Sequence, residues 1–160
     1  MIDEAVLDAG PIIHLDQIGR LYVLEVIENK ATTEEVKKEV GQEVVEKSGL
    51  SVLELSPESK DRAKHLSNKY GIELGESTSI SLCVQEDIDL IFTDDLDARD
   101  AAERFQIDAH GTLALVSRAY SEDILSQAEA LEAIEELRKD SSLFLTSDLV
   151  KWAKERIREE

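Results

Sequence analysis

Two short apolar runs, "EAVLD" at residues 4 to 8 and "IDLIFTDD" at residues 88 to 95, end in aspartate and lead straight into stretches of helical period. Few folds accommodate that arrangement. A brief apolar run bounded by polar and turn-forming residues suits a buried strand, whereas apolar positions recurring every three or four residues suit a helix packed on one side. Strands that alternate with helices of about ten or more residues are joined by right-handed crossovers into a mainly parallel sheet, so the pattern predicts an α/β fold.

The segments between follow the same alternation. "AGPIIHLDQIGRL" opens a helix at Gly10 and Pro11, with Ile12, Ile13, Leu15 and Ile18 inward. "TTEEVKKEVGQEVVEKSG" reads as one helix, with a capping-box spacing from Thr32 to Glu35, Val36 and Val40 on one face, and Gly49 as its stop. "LSVLEL" reads as a strand. "SPESKDRAKHLSNKYG" reads as a helix capped by Ser56, with Pro57 in its first turn and Gly71 at its end. "LGESTSISLCVQE" is expected to be a helix starting near Gly75, followed by the second aspartate-ended strand, a helix in "LDARDAAERF", a brief strand in "IDAH" and a helix in "GTLALVSRAY".

From residue 126 the character changes to two amphipathic helices, with Leu131, Ile134, Leu137, Leu149, Trp152, Ala153 and Ile157 at core spacing. The expected organisation is a main domain over 1–125 and a C-terminal helical hairpin over 126–160 packed on it, with Trp152 inside the hairpin. No linker, repeat or low-complexity tract separates the two.

Charge limits the functions open to such a domain. With 36 acidic against 18 basic residues the net charge is -18, which repels polyanions at long range and excludes non-specific coating of nucleic acid. A nucleic-acid substrate would have to be drawn in by local cations, a bound metal or a basic partner. The single Cys83 cannot form an internal disulfide and reads as a buried thiol in a reducing compartment. There is no basic leader and no run of about eighteen apolar residues, so a cytoplasmic protein without membrane contact is expected.

The acids carry the chemistry. Like charges as dense as those in "IFTDDLDARD" repel by several kcal/mol in a low-dielectric pocket unless a proton or a cation intervenes. In an open parallel sheet, ligands gather beyond the carboxyl ends of the strands, the edge on which Asp8 and Asp94 both fall. Glu76 follows Gly75 at a helix start, and Glu39 lies beside Val36 and Val40 on the inner half of its helix. If the two aspartate-ended strands are neighbours, these acids meet across one cleft. Carboxylates converging without histidine or cysteine make a hard, all-oxygen site suited to Mg²⁺ or Mn²⁺, and the natural chemistry is phosphodiester hydrolysis.

Each acid also has a plainer reading. Asp8 can cap the helix after it, Asp95 can be an N-terminal capping acid, and Glu76 can be an acid favoured by the helix dipole. Glu34, Glu35 and Glu43 are surface neighbours of Glu39, and Asp97 is either a ligand or a solvated first-turn charge. Arg99 contacts either a substrate phosphate or Asp95 one helical turn back. Thr112 is either a helix cap or a hydroxyl supporting the site. His14, His65 and His110 share no metal-binding spacing and read as structural or surface residues.

In order and spacing, "VLDAGPIIHL" with Asp8, the run of Thr33, Val36 and Glu39, "LGESTSISLC" with Glu76, and "FTDDLDAR" with Asp94, Asp95 and Asp97 resemble the PIN-domain nucleases, in particular the VapC-like toxins of prokaryotic toxin-antitoxin pairs. "AHGTLALVSRA" and the terminal "ALEAIEELRKDSSLFLTSDLVKW" are similar to an archaeal and bacterial branch of that family. The resemblance implies a Rossmann-like sheet of four or five parallel strands and a Mg²⁺- or Mn²⁺-dependent ribonuclease site. It implies catalytic roles for Asp8, Glu39, Glu76 and Asp94, with Asp97 a further metal ligand beside Asp8, Glu76 and Asp94. A homodimer and a small antitoxin partner are implied as well. Toxins of this family are usually shorter, so two rivals stand beside the toxin reading: a housekeeping RNA-processing nuclease, and a catalytically idle PIN-like binding module, which the full set of acids disfavours.

Overall fold

Five parallel strands in the order β3-β2-β1-β4-β5 form the centre of the computed structural model, which describes residues 1–159. They are β1 (Ile2–Leu7), β2 (Ile27–Thr33), β3 (Ser51–Leu53), β4 (Leu90–Phe92) and β5 (Asp108–His110). The two aspartate-ended runs are neighbours. β1 pairs with β4 in a register that sets Val6 against Ile91 and Leu7 against Phe92, and the Asp8 amide then donates to the Phe92 carbonyl at 3.0 Å. That register brings Asp8 and the segment after Phe92 to one edge.

Successive strand residues point to opposite faces, so β1 feeds two cores at once. Leu7 packs with Ile12, Leu15, Leu115 and Val116 on one face, while Val6 packs with Ile80, Leu82, Ile91 and Ala101 on the other. The first face is covered by α1 (Ala9–Gln17) and α7 (Thr112–Ser121), the second by α4 (Pro57–Tyr70), α5 (Leu74–Glu86) and α6 (Leu96–Glu103). The α4 helix begins and ends as its residues dictate: Ser56 accepts from the Ser59 amide, Pro57 occupies the first turn, and Gly71 closes it in the left-handed conformation.

Between β1 and α4 the structure departs from the expected single helix. Leu21–Val26 form a 3₁₀ helix, and Ile27–Thr33 form β2, in which Glu28 and Asn29 are exposed. Thr32 belongs to the strand and donates to the Leu7 carbonyl at 2.8 Å; Thr33 caps the following helix by accepting from the Val36 amide. Gly41, at φ 95, then breaks the helix into α2 (Glu34–Val40) and α3 (Gln42–Ser48). A backbone angle of that sign is cheap only for glycine.

The C-terminal hairpin consists of α8 (Gln127–Asp140), opened by a capping box between Ser126 and Glu129, and α9 (Ser147–Glu159). Its inner residues Ala130, Ile134, Leu137, Val150 and Ile157 join the same buried cluster as Leu7 and Ile12. Trp152 does not pack inside it. The register of α9 turns Val150, Ala153 and Ile157 inward, leaving Trp152 52% exposed beneath the Arg156 guanidinium and Leu149 half exposed. Cys83 is buried, and burial pushes its thiol up to about 12. Among the described residues, no helix is long and apolar enough to cross a membrane.

Candidate functional site

Asp8 leaves β1 at the carboxyl edge and is only 4% exposed. Its Oδ1 caps α1 by accepting from the Ala9 amide at 2.9 Å, with the Ser79 hydroxyl at 3.5 Å, and its Oδ2 accepts from Thr93 Oγ1 at 2.8 Å. The cap reading therefore holds, and it leaves the carboxylate facing the cleft. Burial pushes Asp8 up to about 6, the charges of Glu39 and Asp95 add to the rise, and the bonds from Thr93 and Ala9 oppose it.

Glu76, in the first turn of α5, is pushed up to about 7, first by burial and then by the charges of Asp8, Asp95 and Glu73. Glu39 comes in from α2 over the backbone of Gly75. A β-carbon at Gly75 would stand 3.3 Å from Glu39 Oε2, close enough that Glu39 would have to give by a few tenths of an ångström, and 3.9 Å from Asp8 Oδ1, an ordinary contact. Sequence reading marked Gly75 only as a helix start.

Asp94 and Asp95 take different surroundings although they are adjacent. Asp94 Oδ1 accepts from the Thr112 amide at 2.7 Å, and its Oδ2 accepts from Thr112 Oγ1 at 2.5 Å and from His14 Nδ1 at 2.7 Å. The Arg99 guanidinium lies 3.7 Å from Oδ1, and its Nε donates to the Thr93 carbonyl at 2.9 Å. Burial alone would raise Asp94, but the bonds from His14 and Thr112 outweigh it and hold the carboxyl below its ordinary range. Gly111 makes room for this clamp: a β-carbon there would fall 2.6 Å from Asp94 Oδ1 and closer still to Arg99. Asp95 caps α6 by accepting from the Ala98 amide at 2.8 Å, and its charge raises both Asp8 and Glu76.

A cleft of about 290 Å³ collects these groups, with Asp8, His14, Glu39, Glu76, Asp94 and Asp95 among its walls. The structure thus brings together the four expected acids Asp8, Glu39, Glu76 and Asp94 and adds two residues the sequence did not single out for the site, Asp95 and His14. Asp97 is exposed in the first turn of α6, outside the cleft lining. Arg99 and Thr112 are not among the residues that line it; Thr112 bonds to Asp94, and the Arg99 side chain lies against Asp94 and the Thr93 carbonyl rather than against the Asp95 carboxylate.

Chemically, the cleft is a set of oxygen donors of one charge, two of them pushed well above the usual carboxylate range by burial and by the acids around them. Such a donor set fits a hard divalent cation, which relieves the repulsion. Among the described residues, no three ligating side chains already stand at coordinating spacing.

A family model described as a PIN domain, DUF3368, matches residues 4–159. No curated protein and no solved structure matches the chain. The matched span takes in the five-stranded sheet, the acidic carboxyl edge and the terminal hairpin, and the chain belongs to the PIN-domain family, whose members are generally nucleases.

Proposed function

We propose that this PIN domain is an endoribonuclease that hydrolyses RNA phosphodiester bonds with Mg²⁺ or Mn²⁺. The observation that carries the reading is the convergence of Asp8, Glu39, Glu76 and Asp95 on one cleft at the carboxyl edge. These four acids hold the cation in this reading. A divalent cation held there supplies positive charge for the phosphate and lowers the pKa of water for in-line attack.

The remaining polar residues hold the acids in place. Thr93 and the Ala9 amide aim the Asp8 carboxylate, and Asp94, clamped by Thr112 and Arg99, fixes the turn after β4 so that Asp95 faces Asp8 and Glu76. In this assignment Asp94, Arg99 and Thr112 are positioning residues, and Asp97 has no part. RNA as the substrate class is supported by the resemblance of the four motifs to the VapC-like toxins. The same resemblance supports a toxin role with a small antitoxin partner and a homodimer.

Cleavage of a mixed single-stranded RNA pool by wild type, Asp8→Asn, Asp95→Asn and the distant control Asp123→Asn tests the reading. Activity should need Mg²⁺ or Mn²⁺, vanish with chelator, and fall on the order of a hundredfold to a thousandfold in the two site variants. Equal rates for wild type and Asp8→Asn would sink the assignment. Growth arrest on expression, abolished by Asp8→Asn, separates the toxin from an RNA-processing nuclease, which would cleave without arresting growth.

A further inference from the structure

His14 lines this cleft with one ring nitrogen bonded to a carboxylate. Its Nδ1 is bonded to Asp94 Oδ2 at 2.7 Å, and only 12% of its side chain is exposed. That bond takes up one ring nitrogen and leaves Nε2 as the other. Among the described residues, no hydrogen bond engages Nε2, and no buried side-chain nitrogen lacks a partner, so Nε2 meets solvent. His14 is part of the lining of the cleft that also holds Asp8, Glu39, Glu76 and Asp95.

We propose that His14 is a nitrogen ligand of the cation in this cleft, binding through Nε2 while Asp94 fixes the ring by its bond to Nδ1. The inference rests on the proposed metal site and deepens it. A carboxylate that accepts from one ring nitrogen while the other faces the ion is the usual support for a ligating histidine; it sets the tautomer and raises the basicity of the free nitrogen. This pairing also accounts for the clamp on Asp94. Thr112 and Arg99 occupy the rest of its carboxylate, leaving it a fixed holder for the ring. A mixed nitrogen and oxygen donor set favours Mn²⁺ over Mg²⁺ more strongly than oxygen donors alone. His65 and His110 are both exposed, and neither is among the residues that line the cleft.

Bound Mn²⁺ reports its own ligands. Electron spin-echo modulation of the Mn²⁺-loaded protein should show the coupling of a directly bound imidazole nitrogen, altered when histidine carries the heavy nitrogen isotope. The coupling should persist in the His65→Gln/His110→Gln double variant and vanish in His14→Gln. Calorimetric Mn²⁺ affinity should fall roughly ten- to a hundredfold in both His14→Gln and Asp94→Asn. The preference for Mn²⁺ over Mg²⁺ should shrink in His14→Gln. Should His14→Gln fail to fold, the labelled wild type and the double variant decide the matter alone. Mn²⁺ bound without nitrogen coupling overturns this inference and leaves the carboxylate site standing; no bound Mn²⁺ at all overturns both.

Discussion

Thr93 Oγ1 donates to Asp8 Oδ2 at 2.8 Å, tying the end of β4 to the end of β1. The same oxygen receives the Asp95 amide at 3.3 Å, so one hydroxyl helps to place two of the cleft's acids. Thr93→Val keeps the side chain's shape and removes both bonds. It should cost about 1–3 kcal/mol, the usual penalty for stranding a buried acceptor, whereas Thr93→Ser should recover most of it. Denaturant midpoints measure the difference, and a valine variant as stable as wild type would show that Asp8 does not depend on Thr93.

The raised acids set a pH dependence. Asp8 stands at about 6 and Glu76 at about 7, both above their unfolded values. A carboxyl raised on folding binds its proton more tightly in the folded state, so its stabilising contribution is complete below about pH 4 and is lost as pH rises through the folded pKa. For Asp8 the loss is about 3 kcal/mol. The Tm of the metal-free protein should therefore decline between about pH 4 and pH 7, and Asp8→Asn should flatten the decline. Self-repulsion from the net charge of -18 acts in the same direction, so the informative quantity is the gap between wild type and variant across the pH range. Millimolar Mn²⁺ near neutral pH should restore the wild-type Tm by mass action and restore that of Asp8→Asn far less. Parallel pH curves for the two proteins would refute the buried, self-repelling site.

Part of this was legible in the sequence, and the exceptions have physical causes. The runs ending at Asp8 and after Phe92 are apolar because β1 and β4 are covered on both faces, and α4 carried its cap, proline and glycine in order. β2 was not legible, because in "IENKATT" the exposed polar Glu28 and Asn29 follow directly on the buried Ile27, and the other buried positions are Ala31 and two threonines. Gly41 sat inside an unbroken helical pattern, and only its backbone angle of 95° reveals the break. Asp94 and Asp95 turn to different sides of the chain just past a strand, and a sequence cannot say which one faces Glu76. His14 is not legible from histidine spacing, because its partner is no other histidine but Asp94, from the neighbouring strand end.

Gly111 tests the Asp94 clamp from behind. Its φ of -104 is open to any residue, so the demand for glycine is one of space alone. In Gly111→Ala the new methyl meets Asp94 Oδ1 at 2.6 Å and presses harder on Arg99, a clash expected to cost about 1–3 kcal/mol. Arg99 is a flexible side chain and Asp94 is held by three hydrogen bonds. The relief should therefore come from arginine: Arg99→Ala in the Gly111→Ala background should regain part of the lost stability. A double variant no better than the sum of the two single losses would place the strain elsewhere.

The terminal hairpin is expected to melt with the sheet. Leu137 and Ile157 are buried in the same cluster as Leu7 of β1 and Ile12 of α1, so the helix pair closes one face of the sheet's core. Between α8 and α9, Ser142 also reaches the cleft wall, its amide donating to Gln17 Oε1 at 2.7 Å. Leu137→Ala should cost about 2–5 kcal/mol, with Ile157→Ala in the same range, as buried aliphatic truncations do. Calorimetry should show one transition that shifts as a whole, with equal calorimetric and van't Hoff enthalpies. A separate early transition in Leu137→Ala, with the Mn²⁺-dependent transition unmoved, would mark the hairpin as an independent unit. A single shifted transition means that anything displacing the hairpin also strips the cover from α1, the helix that carries His14 and begins at Asp8.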